Sequence, residues 1–189
     1  MAVVHHTTMS PTKLELLTDW LPGQPWYRGA PSAELTRAGG FRLDDPAGEV
    51  GIEFMIVTVS GADAQPDPTE AYLLPLTYRG APLDGAERAL IGTSEHGVLG
   101  TRWIYDGTHD PVLLAQLAAL LRGEAVAQAQ SESDTPDPTV RVRVTDVEER
   151  ELVIHRLLPQ PADDGSRGTV VANWQQPDGS RAESVIAYR

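Results

Sequence analysis

Residues 39–56 read GGFRLDDPAGEVGIEFMI, and this stretch decides the fold. Phe41 and Leu43 flank Arg42, a turn-forming run Asp44-Asp45-Pro46-Ala47-Gly48 follows, and Val50, Ile52, Phe54 and Ile56 then alternate with Gly51, Glu53 and Met55. Successive side chains on a strand point to opposite faces, so a period of two on both sides of a turn predicts a β-hairpin. Working toward the C-terminus, residues 61–69 predict an exposed loop and residues 70–79 a strand. Pro75 has no amide to donate, which suggests an edge or bulge position. Residues 90–95 and 98–105 predict a second hairpin that turns at His96-Gly97. Strict alternation in Val140-Arg141-Val142-Arg143-Val144 predicts another strand, as do residues 152–157, 169–175 and 183–188, with turns at Asp163-Asp164-Gly165 and at 177–180.

Helical spacing appears in three places. Ser10 and Pro11 suit a cap and first helical position before Leu14, Leu17 and Leu21, and Pro22, Gly23 and Pro25 end that helix. The aromatic loop Trp26-Tyr27-Arg28-Gly29 follows, then a brief helical stretch over 32–38. Asp110 and Pro111 open the clearest helix, residues 112–121, whose six Val and Leu side chains cover most of its circumference. Gly123 ends it, and residues 124–138, rich in Ala, Gln, Ser, Asp and Pro, have linker composition. Strands joined by short turns with a few segregated helices predict an α+β protein with an antiparallel sheet. The divisions expected are residues 1–122, a linker at 123–138, and a strand-rich extension at 139–189 that completes the same single domain.

The chain of 189 residues carries 27 acidic against 15 basic residues, a formal charge of -12. A field of that sign repels nucleic acid and anionic membrane surfaces. No cysteine is present, which removes disulfides and thiolate chemistry. The start, MAVVHHTTMSPTK, has no basic segment followed by an apolar run, so a cytoplasmic location is expected. Phosphoryl transfer needs a phosphate cradle, metal-holding carboxylates and a base. The sequence has no Gly-rich Lys-Ser/Thr loop, its single lysine is Lys13 at a helix start, and its single asparagine, Asn173, has no Asp five residues before it. No metal site or cofactor is expected: His5-His6 reads as a solvated tail, Asp106, His109 and Asp110 as a capped loop, and His155 as a boundary residue of a strand. The chain also lacks the G-x-S-x-G nucleophile turn.

Three blocks taken in order carry a resemblance: Trp20-Leu21-Pro22-Gly23-Gln24-Pro25-Trp26-Tyr27, Tyr72-Leu73-Leu74-Pro75-Leu76-Thr77-Tyr78-Arg79, and Tyr105-Asp106 through His109-Asp110-Pro111. Over residues 10–122 the chain resembles the N-terminal cap domain of actinobacterial maltokinases. The resemblance implies a curved antiparallel sheet with a few flanking helices. It does not extend to the two kinase lobes, and Arg28-Gly29 stands where those kinases often place a small residue and Lys, so sugar phosphorylation is not expected to come with it. It implies instead a non-catalytic cap-like accessory or regulatory protein of α-glucan, trehalose and glycogen metabolism, with a protein partner or a second copy bound around Trp26, Tyr27, Arg28 and exposed strand edges. The alternative is a small carbohydrate-binding protein or enzyme. It would use Glu95 and His96 as an acid/base pair, with Arg102, Asp106 and His109 around the same pocket.

Overall fold

The hairpin predicted from residues 39–56 forms, and a buried carboxylate builds its turn. Asp45 accepts hydrogen bonds from the amides of Ala47, Glu49 and Val50 at 3.0, 2.9 and 3.0 Å, and Gly48 takes a φ of 72°. The computed structural model describes residues 8–60, 70–144, 151–160 and 168–189. The expectations for His5-His6, for the loop at 61–69 and for the turn at Asp163-Asp164-Gly165 lie outside the described residues. In chain order the elements are β1 (Met9–Ser10), α1 (Lys13–Trp20), β2 (Glu34–Leu43), β3 (Gly51–Ser60), β4 (Ala71–Arg79), β5 (Leu90–His96), β6 (Gly100–Asp106), α2 (Pro111–Leu121), β7 (Arg141–Arg143), β8 (Val153–Ile154), β9 (Leu157–Leu158), β10 (Thr169–Gln175) and β11 (Arg181–Tyr188).

Among the described residues eleven strands form one open sheet in the order β1-β5-β6-β4-β3-β2-β10-β11-β8, with β7 beside β10 and β9 beside β4. Every pairing is antiparallel. With two short α-helices set against this sheet, the protein is mostly β, which corrects the α+β expectation. The error comes from residues 32–38. Ala33, Glu34, Leu35, Arg37 and Ala38 have good helical propensity, yet from Glu34 the chain pairs residue by residue with β3, and tertiary pairing overrides propensity. α1 also starts later than expected. Thr12 is its cap, accepting from the Glu15 amide at 3.3 Å while the Glu15 carboxylate accepts from the Thr12 amide at 2.7 Å, a reciprocal capping box.

Pro75 is not on an edge. β4 lies inside the sheet, with β3 along one side and, on the other, β9 at Ala71–Tyr72 and β6 at Leu76–Arg79. The Leu73 amide donates to the Arg156 carbonyl on that second side, and Pro75, two residues on, has the same orientation. Its missing amide therefore falls in the gap where β4 changes partner.

Alternation on β3 splits the interior into two cores. Ile52, Phe54 and Ile56 face α2, joining Phe41, Leu43, Leu113, Leu117, Leu120, Val170, Trp174 and Ile186. Met55, Val57 and Val59 face α1, joining Leu17, Leu21, Tyr72, Leu74 and Leu76. The stretch expected as a linker packs on the sheet: Ala127 is in the α2-side core, and Gln128 exchanges two 2.9 Å backbone hydrogen bonds with Arg42. No helix among the described residues is long and apolar enough to cross a membrane.

Candidate functional site

Two polar assemblies stand on the α1 side of the sheet. In the first, alternation that directs Met55 and Val57 inward also directs Glu53 inward, and its side chain is 4% exposed. Lys13, at the first position of α1, donates to Glu53 Oε2 at 2.6 Å, the Tyr78 hydroxyl donates to the same oxygen at 2.6 Å, and Gln130 donates to Oε1 at 2.9 Å. The Lys13 amine also lies 5.0 Å from the centre of the Tyr78 ring. Arg37 extends the chain outward by donating twice to Gln130 Oε1. Burial acts to raise the Glu53 pKa, but the Lys13 charge and the hydrogen bonds from Lys13 and Tyr78 outweigh it and hold the carboxyl below its ordinary value. Burial and the adjacent Glu53 charge push Tyr78 well above its ordinary value.

The second assembly joins the aromatic loop to the end of β6. Trp26 packs edge-on against Trp20 with centroids 5.9 Å apart and lies 6.2 Å from Tyr72, while Tyr27 lies 5.2 Å from Tyr72. The guanidinium of Arg156, just before β9, sits 5.0 Å from the Trp26 ring centre, a cation–π contact. Arg156 also donates to both carboxylate oxygens of Asp106 and, at 2.8 Å, to the Thr108 hydroxyl. Thr108 in turn donates to Asp106 at 2.8 Å from its hydroxyl and 3.2 Å from its amide. His109, 64% exposed, places Nδ1 3.9 Å from Asp106.

The structure brings Trp26, Tyr27, Asp106 and His109 to one corner and leaves the other expected site residues elsewhere. The Arg28 side chain is exposed and lies 3.6 Å from Glu70, and its amide donates to the Tyr72 hydroxyl. Glu95 and His96 are at the tip of the β5–β6 hairpin, at the far end of β6 from Asp106, and a seven-residue strand spans roughly 20 Å. Glu95 accepts from the Thr101 hydroxyl opposite it at 2.7 Å. His96 Nδ1 accepts the amides of Val98 and Leu99 at 3.2 and 3.1 Å, so this nitrogen is an acceptor within the turn. Arg102 donates to the Leu99 carbonyl at 2.6 Å. One pocket ringed by Glu95, His96, Arg102, Asp106 and His109 is therefore not formed. The hairpin itself turns through Gly97, Val98 and Leu99, with Gly100 at a φ of 70°, one residue longer than a two-residue turn.

Sequence reasoning missed Arg156 and the Lys13–Glu53 pair. Glu53 did carry a signal, as the one charged residue in an apolar alternation. Arg156 carried none, because its partners Trp26 and Asp106 are distant in the chain. His155 is half-buried against Tyr188, ring centres 5.4 Å apart, and burial lowers its pKa.

These arrangements fix structure more readily than they promote a reaction. The Thr108 hydroxyl donates to Asp106, so its proton is directed away from His109, and the Asp106 oxygens are engaged by a guanidinium. Among the described residues no group of three or more His, Asp or Glu is placed to hold a metal ion. Residues 20–110 match the family model of the maltokinase N-terminal cap domain. That region runs from the end of α1 to the cap of α2. No curated protein matches the chain.

Proposed function

We propose that, with a maltokinase cap domain over residues 20–110 as its working part, this chain is a non-catalytic accessory or regulatory module of maltose- and trehalose-related metabolism that acts by binding a protein partner. The observation that carries the reading is where the match falls. It covers β2 to β6 and the aromatic loop, and two of its residues, Trp26 and Asp106, are locked together by Arg156 from beyond the match. A rigid corner of this kind suits a docking scaffold, since a preorganised surface loses little side-chain freedom on association. The acid and base groups named from the sequence support the same reading, because Glu95, His96 and Asp106 are engaged in fixing a turn, a strand pair and a loop.

The test is affinity capture with the purified full chain from native extract, combined with a nucleotide-consumption assay in the presence of maltose. Specific recovery of an enzyme acting on maltose, trehalose or their phosphates is expected, with no nucleotide turnover by the chain alone. A strictly monomeric chain that recovers no such enzyme overturns the accessory role. Maltose-dependent nucleotide consumption overturns its non-catalytic character.

A further inference from the structure

The half of β2 before its bulge has one partner among the described residues. Glu34, Leu35, Thr36 and Arg37 pair with Ser60, Val59, Thr58 and Val57 of β3. On the opposite edge, pairing begins only at Gly39 with Trp174, and the next backbone exchange is Arg42 with Gln128. Over Glu34–Arg37 the outward-facing amides and carbonyls of β2 therefore have no strand beside them in the described residues, and an open edge of this kind templates the addition of another strand.

The edge is walled on both faces of the sheet. On the α1 face a groove is lined by Leu14, Glu15, Thr18 and Asp19 of α1 and by Glu34 and Leu35 of β2. On the other face a second groove runs between Thr36–Ala38, Thr58 and the β10–β11 turn at Gln175–Pro177 and Gly179. Thr36 belongs to both. The assignment to faces follows from packing: Leu35 lies against the α1-side core and Ala38 against the α2-side core. A strand added here would direct alternate side chains into the two grooves. The α1-side groove has an apolar floor, Leu14 and Leu35, beneath a rim of Glu15 and Asp19 on α1. Glu15 and Asp19 are exposed. The opposite groove is lined by Thr36, Thr58, Gln175 and Gln176, whereas the Arg37 side chain is on the α1 face, bound to Gln130.

We propose that the open edge of β2 at Glu34–Arg37 receives an extended segment of a partner protein in which basic residues with long aliphatic stems alternate with small polar ones. The basic residues lie over Leu14 and Leu35 with their charges at Glu15 and Asp19, and the polar residues face Thr36, Thr58 and Gln175. Lys and Arg suit the first groove because an aliphatic stem covers apolar surface while the charged end reaches the rim. This rests on the partner-binding reading above and names its surface.

The test uses the full chain and two blocked hexapeptides, one alternating Lys with Thr and one alternating Glu with Thr, read by amide hydrogen exchange. The Lys peptide is expected to slow exchange at the outward-facing amides of Glu34–Arg37 by about tenfold, with added salt weakening the effect, and the Glu peptide to leave them unchanged. Replacing Asp19→Lys, an exposed position on the α1 face, is expected to abolish that preference while the melting temperature stays the same. Equal effects of the two peptides, protection confined to another strand, or an unaltered preference in the Asp19→Lys variant overturns the proposal. So does protection that grows with protein concentration in the absence of peptide, which identifies a second copy as the occupant. Recovery of a maltose- or trehalose-processing enzyme while these amides remain unprotected overturns the edge assignment and leaves the accessory reading standing.

Discussion

At the scale of single residues, the decisive features are two carboxylates removed from water and matched by specific cations. Lys13 and Glu53 illustrate why the match matters. A buried ion pair gains little over a well-packed apolar pair, but a lone buried charge is costly. Lys13→Met should therefore destabilise the protein by about 3 kcal/mol, and Lys13→Met with Glu53→Gln together by less than the sum of the two alone. Denaturant unfolding of the four proteins gives the coupling directly, and strict additivity would refute the clasp. The same pair sets an acid limit. The folded-state pKa of Glu53 is depressed below its ordinary 4.5, so its contribution to stability is complete above that value and is lost as the pH falls through the folded-state value. Comparing urea midpoints of the natural protein and Glu53→Gln between about pH 7 and about pH 3 should show the difference shrinking on the acid side. A constant difference would mean that Glu53 is not held ionised. Glu53 was legible as an anomaly in a strand pattern, whereas Arg156 was not, because sequence spacing carries no information about a guanidinium placed over a ring 130 positions away.

At the scale of elements, what shapes the sheet is the Gly39-Gly40 pair that opens the deciding stretch. Ala38 is the extra residue of a bulge between Arg37 and Gly39, and β10 pairs with β2 at Gly39 alone. A Cβ on Gly39 would lie 2.8 Å from the Asn173 carbonyl oxygen. One on Gly40, whose φ is 127°, would lie 2.1 Å from that of Phe54. Gly40→Ala combines a left-handed backbone with a clash against main chain, and a loss of about 3 kcal/mol or more is expected in thermal or denaturant unfolding. A stability within 1 kcal/mol of the natural protein would show that the strands do not cross so closely. α2 is tied down from its first turn: Asp110 accepts from the Val112 amide at 2.9 Å and holds Arg79 through two 2.7 Å hydrogen bonds. Asp110→Ala removes a cap worth about 1 kcal/mol and strands a largely buried guanidinium, for a combined loss of about 3 kcal/mol. Asp110→Asn should recover the cap share alone, which separates the two roles in the same unfolding experiment. The hairpins and α2 were legible because local pattern and tertiary demand agree there. Residues 32–38 were misread because their propensity and their pairing disagree, and the place of β10 beside β2 could not be read because a single pair of residues defines it.

At the scale of the whole molecule, the family match and the hydrophobic cores have different boundaries. Residues 20–110 include both faces of β3 and β4, yet the α2-side core is completed by α2 and by Leu158, Val170, Ala172, Trp174, Ile186 and Ala187, all of them beyond the match. Burial of a large apolar side chain contributes about 1.5 to 3 kcal/mol, so Leu158, Val170, Trp174 and Ile186 together supply on the order of 10 kcal/mol, comparable with the whole net stability of a domain. A chain ending at residue 138 would keep the α1-side core but expose Phe41, Phe54 and one side of α2. It is expected to lose cooperative unfolding and to bind a hydrophobic dye while retaining part of its β-sheet circular dichroism. Adding residues 139–189 back as a separate polypeptide should restore a cooperative transition, because the missing side chains fill the exposed face of an existing sheet. If the shortened chain instead unfolds in one sharp step with dispersed amide resonances, the cap region is self-sufficient and β10 and β11 are an addition to it.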